Sequence, residues 1–238
     1  MELSERLSLL SKFLPEDAQF ADIGSDHAYL PVSFCQKHPE ARAIAGEVNE
    51  GPLRSAQSEI TRQELEDRVE ARLGDGLEVL ENGEVNAVVI AGMGGPLIAS
   101  ILDKGKDKLE GVQRLLLQPN IHAVAVRRWL EEHGFCLVHE EILEENGHVY
   151  EILIADRHAD ESLYSEENKE VEMWLGPLLM KQKAAPFMKK WESHLNNRER
   201  ILKQLELSSQ NQEEKKRELT REIGQLKEVL YNEYRKGE

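Results

Sequence analysis

Apolar residues fall along this chain in two rhythms, and the switch between them divides it. Up to residue 157, short apolar runs alternate with stretches whose apolar positions recur every three or four residues. Leu3, Leu7, Leu10 and Leu14 step at helical spacing and stop at Pro15, which predicts an opening amphipathic helix. Residues 19–23 then read as a strand, followed by a helix over about 29–38. Residues 42–48 predict a second strand, with a helix over 52–62, and residues 68–72 a short third strand. The strongest buried-strand signal covers 85–90, ahead of a helix near 96–102. Residues 114–117 read as another strand, with a helix across 123–133. Such alternation predicts a parallel, doubly wound α/β sheet with helices on both faces.

The rhythm then changes. Residues 135–143 and 148–156 are two apolar runs joined by Glu144-Glu145-Asn146-Gly147. Asn-Gly between such runs is a strong hairpin signal, so the parallel sheet is expected to end in an antiparallel pair. That departs from the all-parallel dinucleotide-binding pattern. It is the arrangement of the Rossmann-like methyltransferase sandwich, with its antiparallel final strand. Beyond Arg157 the strand signal stops. One helix is expected over 166–181, interrupted at Gly176-Pro177, and a second over 186–207, with Trp191, Leu195, Leu202 and Leu205 near heptad spacing and Arg198 filling one place. Ser208-Ser209-Gln210-Asn211 breaks the pattern, and Leu219, Ile223, Leu226 and Leu230 mark a third helix. The expected organisation is a sheet domain over 1–157 and a C-terminal α-helical coiled-coil hairpin over 158–238.

Composition narrows the class. No apolar run approaches membrane-spanning length, the N-terminal residues do not resemble a signal peptide, and Cys35 and Cys136 stand far apart. A reducing, cytoplasmic setting is the simplest expectation. The seven histidines outside the 22–31 stretch show no ligand spacing, so no metal is expected. Formal charge is −15, which taken alone argues against a nucleic-acid partner. Its distribution matters more: residues 1–157 carry a net of −14 and residues 158–238 a net of −1. Within the latter, Lys181, Lys183, Lys189, Lys190, Arg198, Arg200 and Lys203 face only Glu192 and Glu199, a local basic stripe suited to a polyanion or to a solvated helix face.

Candidate chemistry gathers at the expected strand ends. Asp22-Ile23-Gly24-Ser25-Asp26-His27 follows the first apolar run, and a glycine there lets the backbone approach a ligand. Asp26 and His27 bring titratable groups that binding alone would not need. Glu47, with Val48 beside it, ends the second strand, where a carboxylate accepts ribose hydroxyls. Gly74-Asp75-Gly76 follows the third strand and offers an acceptor for an adenine amino group. Ala91-Gly92-Met93-Gly94-Gly95 reads as a glycine-rich turn after the fourth strand, and Gln118-Pro119-Asn120 follows the fifth, where Asn120 could cap the next helix. A Gly-x-Gly-x-x-Gly fingerprint would need glycines at 26 and 29. The chain has Asp26 and Tyr29, so a pyrophosphate would meet a carboxylate. The same acids suit S-adenosylmethionine, which carries a sulfonium and an ammonium. No Asp/Asn-Pro-Pro-Tyr/Phe motif, common where exocyclic amines are methylated, follows the fourth strand.

The stretches 22–31 (Asp-Ile-Gly-Ser-Asp-His-Ala-Tyr-Leu-Pro), 49–53 (Asn-Glu-Gly-Pro-Leu), 74–76, 91–95 and 117–120 (Leu-Gln-Pro-Asn), with the helical tail, together closely resemble the bacterial tRNA (adenine-22-N1)-methyltransferases. The resemblance implies methyl transfer from S-adenosylmethionine to N1 of an adenine in tRNA. It implies cofactor contacts at Asp22, Gly24, Glu47, Val48, Asp75, Gly76, Ala91 and Gly92, to which the motifs add their neighbours Ser25, Gly74 and Met93. Asp26, His27 and Tyr29 would face the reacting centre. Gly94, Gln118 and Asn120, with Lys181, Lys183, Lys189, Lys190 and Arg198 in the tail, would meet the RNA. A monomer is expected. Other acceptors, RNA or protein, and a non-enzymatic coiled-coil interaction protein remain as alternatives.

Overall fold

The computed structural model describes residues 3–157, 163–207 and 212–232. Seven strands form one sheet: β1 (Gln19–Ile23), β2 (Arg42–Glu47), β3 (Val69–Leu73), β4 (Ala87–Gly94), β5 (Arg114–Ile121), β6 (Phe135–Glu145) and β7 (His148–Arg157). Their order is β3-β2-β1-β4-β5-β7-β6. β1 to β5 are parallel, whereas β7 runs antiparallel to both β5 and β6. The hairpin turns at Asn146 and Gly147, both at positive φ (52° and 79°), the conformation a two-residue turn between right-twisted strands requires.

Five helices precede or connect the strands: α1 (Glu5–Ser11), α2 (Tyr29–Lys37), α3 (Glu50–Arg62), α4 (Gly95–Lys104) and α5 (Ala123–Glu132). Leu10, Leu30, Phe34 and Ile60 from the first three pack with Phe20, Ala43, Ala45 and Val89 on one face of the sheet. Successive strand residues point to opposite faces, so Val88 and Ile90 serve the other face, where α4 and α5 pack together. Strand order reverses beside β1, and its neighbours β2 and β4 lead their connections to opposite sides. This switch point places a crevice at the carboxyl ends of β1 and β4.

Two corrections concern the strand ends. The stretch 91–95 is not a glycine-rich turn, and 118–120 does not follow its strand. β4 runs through Gly94 and β5 through Ile121, and they stay paired (Met93 with Pro119, Gly94 with Ile121) by shifting register twice. Bulges absorb the residues that ordinarily break a strand.

The chain divides into two compact units, Met1–Leu163 and Tyr164–Glu238. The expected boundary after Arg157 adjoins residues 158–162, which lie outside the described residues, as does the break expected at 208–211. In the second unit α6 (Lys169–Leu175) and α7 (Pro177–Gln182) meet at Gly176, whose φ of 96° interrupts the helix there. α8 (Ala185–Glu206) and α9 (Glu213–Tyr231) bury Phe187, Trp191 and Leu195 on one and Leu219, Ile223, Leu226 and Leu230 on the other. Among the described residues no helix is long and apolar enough to cross a membrane.

Candidate active site

The first βα turn is built around two buried carboxylates. Asp22 is buried near the end of β1 and its Oδ2 accepts the Ser25 hydroxyl at 2.6 Å. Gly24 and Ser25 donate their N–H groups to the Gly46 carbonyl at 2.9 and 3.3 Å, tying the turn to β2. The turn then passes through left-handed backbone at Gly24 (φ 71°), Asp26 (45°), His27 (68°) and Ala28 (57°). Three consecutive non-glycine residues in that region store strain of about 1–2 kcal/mol each, a concentration characteristic of functional turns. In return, the Asp26 N–H reaches the Glu47 carboxylate.

Glu47 is buried, and its Oε1 has no hydrogen-bond partner among the described residues. Burial raises its pKa, against the lowering effect of the Asp26 N–H. Burial likewise pushes the Asp22 carboxyl up to about 7, with Glu47 and Asp26 adding to the rise and the Ser25 hydroxyl opposing it. An orphaned buried carboxylate oxygen needs a donor, and a pair of ribose hydroxyls supplies donors of that kind.

Beside these acids lies a cavity of about 300 Å³. Gly24, Val48, Gly74, Asp75, Gly76 and Met93, all singled out in the sequence, line it. Glu47 lies between its lining neighbours Gly46 and Val48. Asp22, Ser25, Glu47, Ala91 and Gly92 are not among the lining residues: Asp22, Ser25 and Glu47 sit buried beside it. A Cβ on Gly24 would come within 2.5 Å of Met93 Cε, so the methionine tip occupies the space this glycine leaves. Sequence reasoning missed the opposite wall. Leu97, Ser100, Ile101 and Lys104 present one face of α4, and Leu77 and Glu78 come from a short 3-10 helix, Gly76–Val79. The i, i+3, i+4, i+7 spacing of the α4 residues was a visible signal for that wall.

Further along the same turn, His27 and Tyr29 stack with ring centroids 5.3 Å apart and planes 21° from parallel; neither residue, nor Asp26, lines the cavity. Asp26 Oδ1 lies 3.4 Å from His27 Nε2 and is 85% exposed. Tyr29 is exposed as well. At the carboxyl ends of β4 and β5, Gly92, Gln118 and Asn120 are hydrogen-bonded to one another. Asn120 therefore does not cap α5. That helix begins after His122, which makes no side-chain cap. Gly94 caps α4, and a Cβ on the following Gly95 would collide with the His122 carbonyl oxygen, so the backbone at the start of α4 touches that between β5 and α5.

The basic residues of the second unit are not alike. Arg198 pairs with Glu222 at 2.6 Å and lies over the Trp174 ring, so its guanidinium joins α8 to α9. Lys183 donates to the Asn232 carbonyl at 3.0 Å, and Lys190 lies over the Trp191 ring. Lys181 and Lys189 lie on α7 and α8. Among the described residues no cluster of three or more His, Cys, Asp or Glu is disposed to hold a metal ion.

The family model for TrmK, tRNA (adenine(22)-N(1))-methyltransferase, matches residues 20–228. The tRNA (adenine(22)-N(1))-methyltransferase of Bacillus subtilis (strain 168) is 44% identical over 232 residues, 97% of this chain and 98% of that one. The crystal structure of the B. subtilis m1A22 tRNA methyltransferase superposes with a TM-score of 0.91, covering 96% of this chain and 99% of that chain. A Streptococcus pneumoniae relative, Sp1610, crystallised in complex with S-adenosyl-L-methionine, superposes with a TM-score of 0.84 at 38% identity, covering 97% of this chain and all of that one. The chain belongs to the tRNA (adenine(22)-N(1))-methyltransferase family.

Proposed function

We propose that this protein methylates N1 of the adenine at position 22 of tRNA, using S-adenosylmethionine bound in the cavity between β1, β2 and α4. The observation that carries this reading is the orphaned, buried Glu47 oxygen beside a 300 Å³ cavity, on a chain of this family. The residues present fit that donor. Glu47 takes the ribose hydroxyls, and Asp75, between two lining glycines, takes the adenine amino group of the donor. Leu77, Leu97 and Ile101 give that ring apolar walls. Asp22, Glu47 and Asp26 surround the turn with negative charge, favourable to a cationic ligand and unfavourable to a pyrophosphate.

When bound, S-adenosylmethionine supplies a methyl group on a sulfonium, which N1 takes in one displacement. Adenine N1 has a free lone pair, so no residue has to remove a proton before attack. What the chain contributes is alignment and charge. Asp26 stands exposed in the turn after β1, and its carboxylate stabilises the positive charge that develops on the methylated ring. In water that effect is small, since the side chain is largely exposed; it grows once RNA covers the site and lowers the local dielectric. The stacked His27–Tyr29 pair offers an aromatic platform to a base drawn out of its helix.

The second unit is read as an antiparallel coiled-coil hairpin that holds tRNA. Ion pairs Arg198–Glu222 and Lys227–Glu199 between α8 and α9 support it, and Lys181, Lys183, Lys189 and Lys190 supply the cationic surface. Asp26→Ala gives a direct test: methyl transfer to unmodified tRNA is expected to fall by about 10²-fold or more, with affinity for S-adenosylhomocysteine nearly unchanged. Turnover like that of the natural chain would remove Asp26 from the reaction.

A further inference from the structure

Gly92, Gln118 and Asn120 close a ring of three hydrogen bonds at the ends of β4 and β5. The Gly92 N–H donates to Gln118 Oε1 at 3.1 Å, Gln118 Nε2 donates to Asn120 Oδ1 at 3.1 Å, and Asn120 Nδ2 donates back to the Gly92 carbonyl at 2.8 Å. The backbone fixes the sense of this ring. A peptide N–H only donates and a carbonyl only accepts, so Gln118 must turn its oxygen, and Asn120 its nitrogen, toward Gly92. The two amides then meet nitrogen to oxygen, and no other orientation satisfies all three bonds. Gln118 is fully buried, whereas Gly92 and Asn120 are exposed. Gly92 holds a φ of 77°, and a Cβ there would meet nothing within 4 Å, so the space above it is open.

We propose that Gln118 is a positioning residue that fixes an acceptor edge for the amino group of the target adenine. The proposal rests on the N1-methylation reading above. Attack by N1 forbids any hydrogen-bond donor on N1, because its lone pair is the nucleophile. The neighbouring N6 amino group carries only donors, so acceptors must hold it. The Gly92 carbonyl and Asn120 Oδ1 each use one lone pair within the ring and keep a second. Both belong to exposed residues. Gln118, being buried, reaches the base only through them, and it sets where their spare lone pairs point. The same edge rejects guanine, whose O6 would place an acceptor against acceptors and whose N1 carries a hydrogen.

Asn120→Asp keeps the acceptor toward Gln118 and removes the donor to Gly92. Gln118→Met removes both of its bonds at similar volume. Each variant and the natural chain would be assayed on tRNA carrying either adenosine or purine ribonucleoside, which lacks the amino group, at the target position. The difference in N1 nucleophilicity between the two bases is common to all three enzymes, so the change in their ratio isolates the amino interaction. The natural chain is expected to prefer adenosine by about tenfold or more in kcat/KM, and each variant to shrink that ratio to within about threefold. Affinity for S-adenosylhomocysteine is expected to stay nearly constant. A merely structural role would lower activity on both tRNAs alike and leave the ratio intact, and that result overturns the proposal. So does a loss of S-adenosylhomocysteine affinity with an unchanged ratio. Asn120 is exposed, so Asn120→Asp leaves the core alone; should Gln118→Met fail to fold, an unchanged ratio in Asn120→Asp overturns the proposal. A natural chain that methylates neither tRNA would instead overturn the N1-methylation reading itself.

Discussion

Asp22 shows how much one side chain can tie together. Its carboxyl titrates near 7 mainly because it is buried. Relative to an ordinary value of 3.8, the folded chain holds this proton more tightly than the unfolded chain. Its contribution to stability therefore falls as pH rises from about 4 to about 7 and is level above that. A cation seated nearby favours the ionised form. Affinity for S-adenosylmethionine is accordingly expected to rise about tenfold from pH 6 to pH 8, and Asp22→Asn to flatten that rise. Calorimetric titration across that range checks it; equal affinities at pH 6 and pH 8 in the natural chain would contradict it. Gly24 offers a second case. Gly24→Ala places a methyl at left-handed φ, which costs about 1 kcal/mol, and displaces the flexible Met93 tip. Cofactor affinity is expected to drop more than thermal stability, with Met93→Ala restoring part of it. These residues were legible in the sequence because the acid, the glycine and the titratable pair fall within six positions. Their left-handed backbone was not, since Asp26, His27 and Ala28 carry no glycine to announce it.

At the scale of elements, the sequence was most legible where apolar runs are short and bounded. β1, β2 and the hairpin of β6 and β7 fall within a residue or two of their expected limits. The ends of β4 and β5 were obscured because Gly92, Gly94 and Pro119 read as breakers, and only pairing between the two strands keeps them extended. That pairing also carries the hydrogen-bonded ring of Gly92, Gln118 and Asn120. Gly95→Ala would press a methyl onto the His122 carbonyl, a backbone atom that cannot swing aside. A stability decrease of about 2 kcal/mol or more is expected, read as a drop in melting temperature. A different strut lies beneath α5: Arg127 is fully buried and pairs with Glu140 and Glu151, both buried as well. Arg127→Met removes the cation between two buried carboxylates and is expected to lower stability by about 3–5 kcal/mol in denaturant unfolding. No pattern in the sequence joins these three residues, because their meeting depends on strand register.

Over the whole molecule, charge and family membership pull in different directions. A chain of net charge −15 is a poor partner for RNA by total charge alone. The distribution bears on this: residues 1–157 carry nearly all of the net negative charge, while residues 158–238 are nearly neutral and locally basic. Replacing Lys181, Lys189 and Lys190 by Gln is expected to weaken tRNA binding. The slope of affinity against salt should fall by up to about one for each phosphate that is no longer neutralised. Arg198→Gln, by contrast, removes an ion pair between α8 and α9 and is expected to lower thermal stability. The cationic donor was legible in the sequence on physical grounds, from acids standing where a pyrophosphate binder has glycines. The target nucleotide came from resemblance, since no side-chain pattern spells out a position in tRNA. The most direct measurement is therefore to incubate the protein with labelled S-adenosylmethionine and unmodified tRNA, then locate the methylated nucleoside. The expected product is 1-methyladenosine at position 22, absent when that adenosine is replaced by guanosine. Label on another nucleoside, or none transferred at all, would contradict N1 methylation at that site.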